Sequence, residues 1–174
     1  MLVPDKLISF NAYGGAGGIR LLGLVDAELP KFEAVTDTIS GAGFAGEFDS
    51  PVMGHFKAMA LKLKWRTVTP QWASFLASGF HAVTLRPSVQ IVDSSAGAIA
   101  TQAVRVDVRG PMKVTNPGKL ESGKQMDAET EIEVAYLVIA IAGVNVVELD
   151  KFNYIYRVNG VDHLAAVRSD MGEA

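Results

Sequence analysis

The sequence contains no cysteine and only three histidines among its 174 residues. The missing thiols exclude disulfide bonds, thiolate metal sites and cysteine nucleophiles together. The histidines are His55, His81 and His163, and they show no metal-ligand spacing relative to one another or to a carboxylate on a shared face. We therefore interpret each as an ordinary surface or interface residue, and we predict neither a metal site nor a cofactor.

Long apolar runs and blocks of like charge are also missing. The longest apolar run, Val134 to Val144, is well short of the roughly 20 residues that cross a bilayer. The 16 basic and 19 acidic side chains are mixed along the chain and leave a net charge of -3, which does not favour tight binding to a nucleic-acid backbone. The first residues, MLVPDKLISF, lack the pattern of a secretory signal peptide, so we expect no export by the general pathway.

Apolar residues, by contrast, are abundant at 49%, and the mean hydropathy is +0.22. A chain of this size does not bury that much apolar surface by folding alone, so we expect a partner surface to cover part of it.

Alternation of apolar and polar side chains with period two dominates the chain. It runs from Met59 to Arg66, from Ala103 to Arg109 and from Glu129 to Tyr136, and it predicts half-buried strands. The polar faces of the first and third strands carry two rows of charge, Lys62, Lys64 and Arg66 in one and Glu129, Glu131 and Glu133 in the other. After Tyr136 the alternation fades into LVIAIAG, as expected where a strand is covered on both faces.

Further segments indicate β structure with few helices. The β-like segments are 19–29, 32–40, 82–92 and 144–158, and Pro87 predicts an edge or bulged strand in the third of them. TPQWASFLASG predicts a short helix with Thr69 as N-cap, and DHLAAVRSD predicts another near the C-terminus with Leu164, Val167 and Ala165 inward.

Turn signals at 92–97, 115–124 and 142–145 separate the predicted strands at hairpin-like spacing. We therefore predict a mainly β, antiparallel sandwich or barrel with one or two short helices. The whole chain, 1–174, is expected to form a single domain, with residues 1–18 as a flexible N-terminal arm or loop that ends in GGAGG.

The stretch GAGFAG spells the G-x-G-x-x-G pattern of dinucleotide-binding domains, but its context does not match. The residues EFDSPVMG that follow cannot open a helix, and the position about 20 residues further on, where the ribose-binding acid belongs, falls in the basic strand LKLKWR. The glycines indicate instead a loop that needs positive φ or close backbone approach. We predict a subunit-interface loop whose residues are Gly41, Gly43, Gly46, Asp49, Ser50 and Pro51.

Two other patterns that resemble chemical sites also fail. GKLESGKQ, at 118–125, departs from a phosphate-binding loop because Gln125 replaces the Ser or Thr that would hold magnesium and a strand follows where a helix is needed. The acidic row at 129–133 is one polar strand face, for which the basic row at 62–66 could be the matching neighbour. No nucleophile is paired with a base, so we predict no catalytic residue and no enzyme.

Three blocks of the sequence together carry a family resemblance. They are GxGxxGxxDSPV at 41–52, WRT at 65–67 and ELDKFNYIYRVNGVD at 148–162. With these blocks, residues 1–170 resemble the major tail tube protein of contractile-tailed bacteriophages and of phage-tail-like bacteriocins.

The resemblance implies a structural protein of the inner tail tube. Hexameric rings would stack head to tail inside a contractile sheath, and strands of six subunits would close one barrel around the lumen. The implied partners are other copies of the chain, the sheath protein, the tape measure protein, and baseplate and tail terminator proteins. DNA would pass through the lumen of a phage tail without specific binding, and ions through that of a bacteriocin. The implied location is a virion tail or an extracellular bacteriocin particle, assembled in the cytoplasm of the host bacterium.

The strand pattern agrees with such an assembly, since pairing strand edges between neighbours removes exposed edges. We expect one of the two charged rows to line the lumen, and we favour Glu129, Glu131 and Glu133 because carboxylates repel a passing polyanion. Two alternatives stay open from the residues: a tube component of a type VI-like secretion system, and a non-assembling, ligand-binding β-barrel.

Overall fold

The computed structural model describes residues 1–15, 18–41, 43 and 45–172, and these form an antiparallel β fold with two short helices. The strands are β1 (Leu2–Gly14), β2 (Ile19–Arg20), β3 (Leu24–Glu28), β4 (Ala34–Ile39), β5 (Phe48–Phe56), β6 (Ala60–Trp65), β7 (Phe80–Asp93), β8 (Ala98–Asn116), β9 (Ala128–Glu133), β10 (Tyr136–Ile141), β11 (Val144–Asp150), β12 (Ile155–Val158) and β13 (Val161–Asp162). The helices are α1 (Pro70–Ser74) and α2 (Ala165–Asp170). The predicted fold class is confirmed.

Two layers share the strand β8. The large sheet has the order β13-β12-β11-β10-β8-β7-β1-β2, and the small sheet has the order β3-β6-β9-β8. The first part of β8 pairs with β7 and β10, whereas Met112 to Asn116 pair with β9. One continuous strand therefore passes from one layer of the sandwich into the other.

Gly110 lies where β8 changes sheets. A Cβ at this position would overlap the backbone carbonyl oxygen of Glu133, and the N–H of Ala135 donates to the Arg109 carbonyl at 3.0 Å. Backbone approaches backbone here with no space for a side chain, which explains the glycine without any positive φ.

The core lies between the two sheets. Odd positions of β6 contribute Leu61, Leu63 and Trp65, each at most 1% exposed, as their alternation predicts. The large sheet contributes its own inward row, which consists of Val83, Leu85, Val106, Val108, Leu137 and Leu149. The interior is thus filled with side chains.

The apolar run after Tyr136 belongs to a corner. β9 ends at Glu133, the chain turns at Val134 and Ala135, and β10 continues in the large sheet between β8 and β11. Val134 is fully buried because it lies at the junction of both layers. The covering of both faces was predicted, but the change of sheet was not.

The N-terminal segment differs from its prediction. Leu2–Gly14 do not form a loop but pair with β7 over nearly their whole length, from Leu2 opposite Asp93 to Gly14 opposite Val83. The local sequence could not show this, because the partner strand lies about 80 residues away and Pro4 and a bulge near Ser9 interrupt the pattern. Of the predicted GGAGG loop, residues 16 and 17 lie outside the described residues.

Pro87 lies in a strand with neighbours on both sides, so the edge prediction is wrong. The ladder to β8 skips Arg86 and Pro87 between the pairs Leu85–Val106 and Ser88–Ala103. The bulge forms in the adjacent strand β1, next to Ser9. The proline is tolerated because the ladder is interrupted where its missing N–H would be needed.

Both helices form where the sequence predicts them. The Thr69 hydroxyl accepts from the Trp72 N–H at 3.1 Å, and Pro70 occupies the first turn of α1. Leu164, the N-cap of α2, is buried and Val167 is half-buried as expected, but Ala165 is exposed because the short helix presents that side to solvent. Within the described residues, neither helix has the length or the apolar surface that a membrane crossing requires.

Candidate assembly surfaces

The described residues include no group of three or more His, Asp or Glu side chains that could hold a metal ion. The three histidines lie apart and have different neighbours. The ring centroids of His55 and Tyr154 are 6.2 Å apart, and His163 packs on Tyr156. The His81 Nε2 lies 3.0 Å from the Ala77 carbonyl oxygen. The loop at 118–125 connects β8 to β9, with the Lys119 N–H donating to the Met126 carbonyl at 2.8 Å. What the fold presents instead is a set of protein surfaces.

On the outer face of the small sheet, three adjacent strands carry charges of alternating sign, with acids on β3, lysines on β6 and acids on β9. In register across β3, β6 and β9, Asp26, Lys64 and Glu129 form one row and Glu28, Lys62 and Glu131 form the next. The Lys62 ammonium lies 3.6 Å from the Glu131 carboxylate and 3.9 Å from that of Glu28. Each lysine therefore stands between two acids, and the face is net acidic.

This register changes the expectation for the two charged rows. Basic and acidic side chains share one face, so a lumen lined by one row is lined by the other as well. The match between the rows, which the sequence suggested, is confirmed by the ion pair of Lys62 with Glu131. β6 and β9 are direct neighbours, so their charged rows share one face, and that this face lines a lumen stays a prediction.

Glu133, the third acid of the predicted row, has a different environment. Its carboxylate accepts from the Met59 N–H at 3.1 Å and lies 3.6 Å from the Lys113 ammonium and 3.5 Å from that of Lys151. These contacts join the end of β9 to β8 and to the segment after β11. Glu133 therefore connects several elements of the fold, whereas Glu129 and Glu131 lie on the outer face of the small sheet.

The strands β4 and β5 form a separate two-stranded sheet, which we call the hairpin arm (residues 34–56). Its tip carries the predicted interface loop, in which Gly41, Gly43 and Gly46 have φ of 138°, 102° and 137°. A Cβ on any of the three would meet no described heavy atom within 4 Å. Positive φ is thus confirmed as a requirement for glycine, while residues 42 and 44 of the loop lie outside the described residues.

The rest of the predicted interface loop lies on β5. The Asp49 carboxylate accepts from the Thr38 hydroxyl at 2.7 Å, across the arm, while Ser50 pairs with Asp37 and Pro51 with Thr36. These residues shape the arm from within. Whether the loop contacts another subunit stays a prediction.

One set of contacts closes the base of the arm, and another packs that base against the body. The Glu33 carboxylate binds the Lys57 ammonium at 2.6 Å and that of Lys31 at 3.0 Å, so it joins the residues that precede β4 and follow β5. Hydrogen bonds from Lys57 and then Lys31 lower the pKa of Glu33 from 4.5 to about 2. The Phe56 ring packs edge-on against the Tyr156 ring, with the two ring centroids 5.1 Å apart.

A second projection extends beyond the core. The outer parts of β1, β7 and β8, residues 2–9, 88–93 and 98–103, form a three-stranded distal ribbon. Leu2, Leu7 and Ile99 are 62%, 53% and 71% exposed there. The Met1 ammonium lies 3.3 Å from Asp93, which closes the end of the ribbon. The ribbon presents apolar side chains that no described residue covers.

The outer face of the large sheet has arginines at one side. Arg86 of β7 and Arg105 of β8 lie on adjacent strands and line a concavity of about 330 Å³ that we call the arginine groove. Arg105 is paired with Asp107 at 2.9 Å, and the Arg86 guanidinium lies over the Tyr13 ring at 5.1 Å. No sequence motif indicated this groove, because its two arginines are 19 positions apart and only strand pairing brings them together.

The block ELDKFNYIYRVNGVD forms β11 to β13 and is held by its own charges. Arg157 pairs with Glu148 at 2.9 Å, and Asp162 accepts from Arg168 of α2 at 2.7 Å. The hydrogen bond from Arg168 lowers the pKa of Asp162. Tyr154 has positive φ, at 49°, in the turn between β11 and β12. This block closes one side of the large sheet and carries α2 to the base of the arm.

Comparison with known proteins gives three consistent results. The family model described as "Phage tail tube protein FII" matches residues 4–172. The tail tube protein of Escherichia phage P2 is 28% identical over 177 residues, which is 99% of both chains. The sheath/tube terminator of the extracellular contractile injection system PVC, in its extended state, has a similar fold, with a TM-score of 0.51 and 12% identity over 79% of this chain and 96% of that one. The chain belongs to the phage tail tube protein FII family.

Proposed function

We propose that this protein builds the inner tube of a contractile phage tail. Six copies form a ring, rings stack head to tail inside the sheath, and DNA passes through the lumen. The observation that carries the proposal is the pair of apolar projections on a chain of this family, since the hairpin arm and the distal ribbon both extend apolar side chains away from the core. Apolar surface of this extent is typical of an assembly interface.

The architecture supports a ring and a stack as two separate contacts. A closed ring of six and head-to-tail stacking both need heterologous contacts, so we assign the arm and the ribbon to contacts with non-identical patches on neighbours. A heterologous contact whose rotation closes gives a ring, and one that does not close gives a tube of indefinite length.

The small sheet is the surface we assign to the lumen. Four strands spaced about 4.8 Å apart span about 19 Å, so six small sheets side by side enclose a circle roughly 35 Å across before strand tilt is added. Its outer face is net acidic, with Glu129 and Glu131 beside Lys62 and Lys64, and a net acidic wall repels DNA phosphates. The Glu133 carboxylate is paired with two lysines, so it contributes less negative charge to that wall than the sequence suggested.

The same relatives favour particular partners. A sheath, a tape measure protein, a baseplate and a tail terminator complete such a tail, and the similarity to a sheath/tube terminator supports the last of these. The similarity to the P2 tail tube protein favours a DNA-conducting tail over an ion-conducting bacteriocin. Against a ligand-binding barrel, the space between the sheets is filled by Leu61, Leu63, Trp65 and their neighbours.

Light scattering and negative-stain electron microscopy of the purified chain test the proposal. We expect rings or tubes with a central hole, and growth with increasing concentration. A compact monomer that never polymerises, even at high concentration, would contradict it.

A further inference from the structure

The hairpin arm contacts the body at its base, through Phe56 and Tyr156, but no strand of the described residues outside the arm pairs with it. Among the residues that the structure describes, its two strands pair with each other alone, and an isolated two-stranded hairpin is marginally stable in water. Near its tip, Ile39 and Phe48 are directly paired on one face and are 41% and 55% exposed. A surface that covers this pair would stabilise the arm by removing both side chains from water.

The charge of the arm indicates what that surface must carry. Between residues 34 and 56 the chain has Asp37, Glu47 and Asp49 but no lysine or arginine. Asp49 is already bound to Thr38, whereas Asp37 lies on the same face as Ile39 and Phe48. The arm therefore offers an apolar pair flanked by free negative charge, and its partner should be apolar and basic.

The arginine groove has this chemistry. Arg86 and Arg105 both line this groove, and two like charges on one concave surface favour a bound anion. Arg105 is partly neutralised by Asp107, but no carboxylate of the described residues lies within 4 Å of Arg86. The groove is also lined by small residues, including Ser88, Ala103 and Gly143, which leave room for an inserted side chain.

We propose that the hairpin arm of one copy seats in the arginine groove of a neighbouring copy. The Ile39 and Phe48 side chains enter the groove, and the carboxylate of Asp37, which lies on the same face, pairs with Arg86. This contact rests on the proposed tube, and it specifies which two surfaces of the chain meet. Arm and groove are distinct patches, so the contact is heterologous and propagates from copy to copy.

Charge reversal tests the pairing. Arg86→Glu alone and Asp37→Arg alone should each raise the concentration needed for assembly by about tenfold or more, because each places like charges together at the contact. The double variant, Arg86→Glu with Asp37→Arg in one chain, should recover most of the loss. Lys119→Glu, in the loop before β9, is the matched control and should assemble like the unmodified chain. Far-UV circular dichroism checks that each variant is folded.

Disulfide trapping gives an independent readout, because the chain has no cysteine of its own. Mixed Glu47→Cys and Ser88→Cys chains should give a covalent dimer on mild oxidation of assembled particles, and Glu47→Cys mixed with Ser78→Cys should not. If tubes form normally, no Glu47–Ser88 dimer appears and the reversed variants assemble unchanged, the contact is wrong while the tube proposal stands. If the unmodified chain forms neither rings nor tubes, both proposals fail.

Discussion

The small sheet and the hairpin arm are both antiparallel β structure, yet they are stabilised in opposite ways. In the small sheet, β6 has neighbours on both sides, its inner face is buried and its lysines lie between acids. No strand of the described residues pairs with either edge of the arm, which carries exposed side chains such as Phe48 and Met53. The small sheet is therefore stabilised by contacts within the subunit. The arm keeps exposed apolar surface, which suits it to a contact with another subunit.

The largest effect should come from breaking the body where its two layers join. Gly110→Ala places a methyl group against the Glu133 carbonyl, and because backbone cannot yield there, we expect a loss of about 3 kcal/mol or more in the free energy of unfolding. Denaturant unfolding measures this. Gly14→Ala is the matched control, since its neighbour is the flexible side chain of Leu21. Equal stabilities of the two variants would contradict the close approach of β8 to the corner after β9.

A smaller effect should follow from reversing a charge on the small sheet. Lys62→Glu leaves Glu28 and Glu131 without their shared cation and adds a third carboxylate, so we expect a loss of about 1 kcal/mol. The melting temperature should recover with added salt, which screens the repulsion. Lys64→Glu, whose ammonium makes no ion pair within 4 Å among the described residues, should lose less. A salt-independent loss would indicate that packing and not charge is responsible.

The smallest effect should be confined to the arm and depend on pH. Because the folded pKa of Glu33 is about 2, below its usual 4.5, the clasp at the arm base stabilises fully above pH 4.5 and is lost as the pH falls through about 2. Over this range, the hydrogen-exchange protection factors, which are corrected for the intrinsic exchange rate at each pH, should fall more in the arm than in β6. Glu33→Gln should remove that difference in pH dependence. If the arm of the unmodified chain and that of the variant follow the same pH curve, the clasp does not hold the arm.

The sequence predicted best those elements whose signal lies within a short stretch of neighbouring residues. Alternation located β6 and β9 and the faces of Leu63 and Glu131, and Thr69 with Pro70 located α1. It could not predict that β1 pairs with β7, nor that the chain turns a corner at Val134, because both depend on strands far away in sequence. A run of apolar residues looks the same whether it continues one strand or bends into another sheet.

For the candidate surfaces, too, the sequence predicted the features that depend on neighbouring residues and missed those that depend on distant strands. GAGFAG was correctly interpreted as a glycine-dependent loop, because its positive φ values are local properties. The separation of the arm from the other sheets has no local signal, and the arginine groove exists only through the pairing of β7 with β8. Which neighbour each surface meets depends on other copies of the chain and stays a prediction.

The single strand β8 gives the subunit a mechanical property. Its outer end belongs to the distal ribbon, its middle to the large sheet and its last residues to the small sheet. A pull on the ribbon is therefore transmitted through covalent bonds to both layers, and sliding the strand out would require many hydrogen bonds to break together rather than one after another. A subunit tied in this way resists shear between its layers, so that a force applied at one end moves the whole subunit.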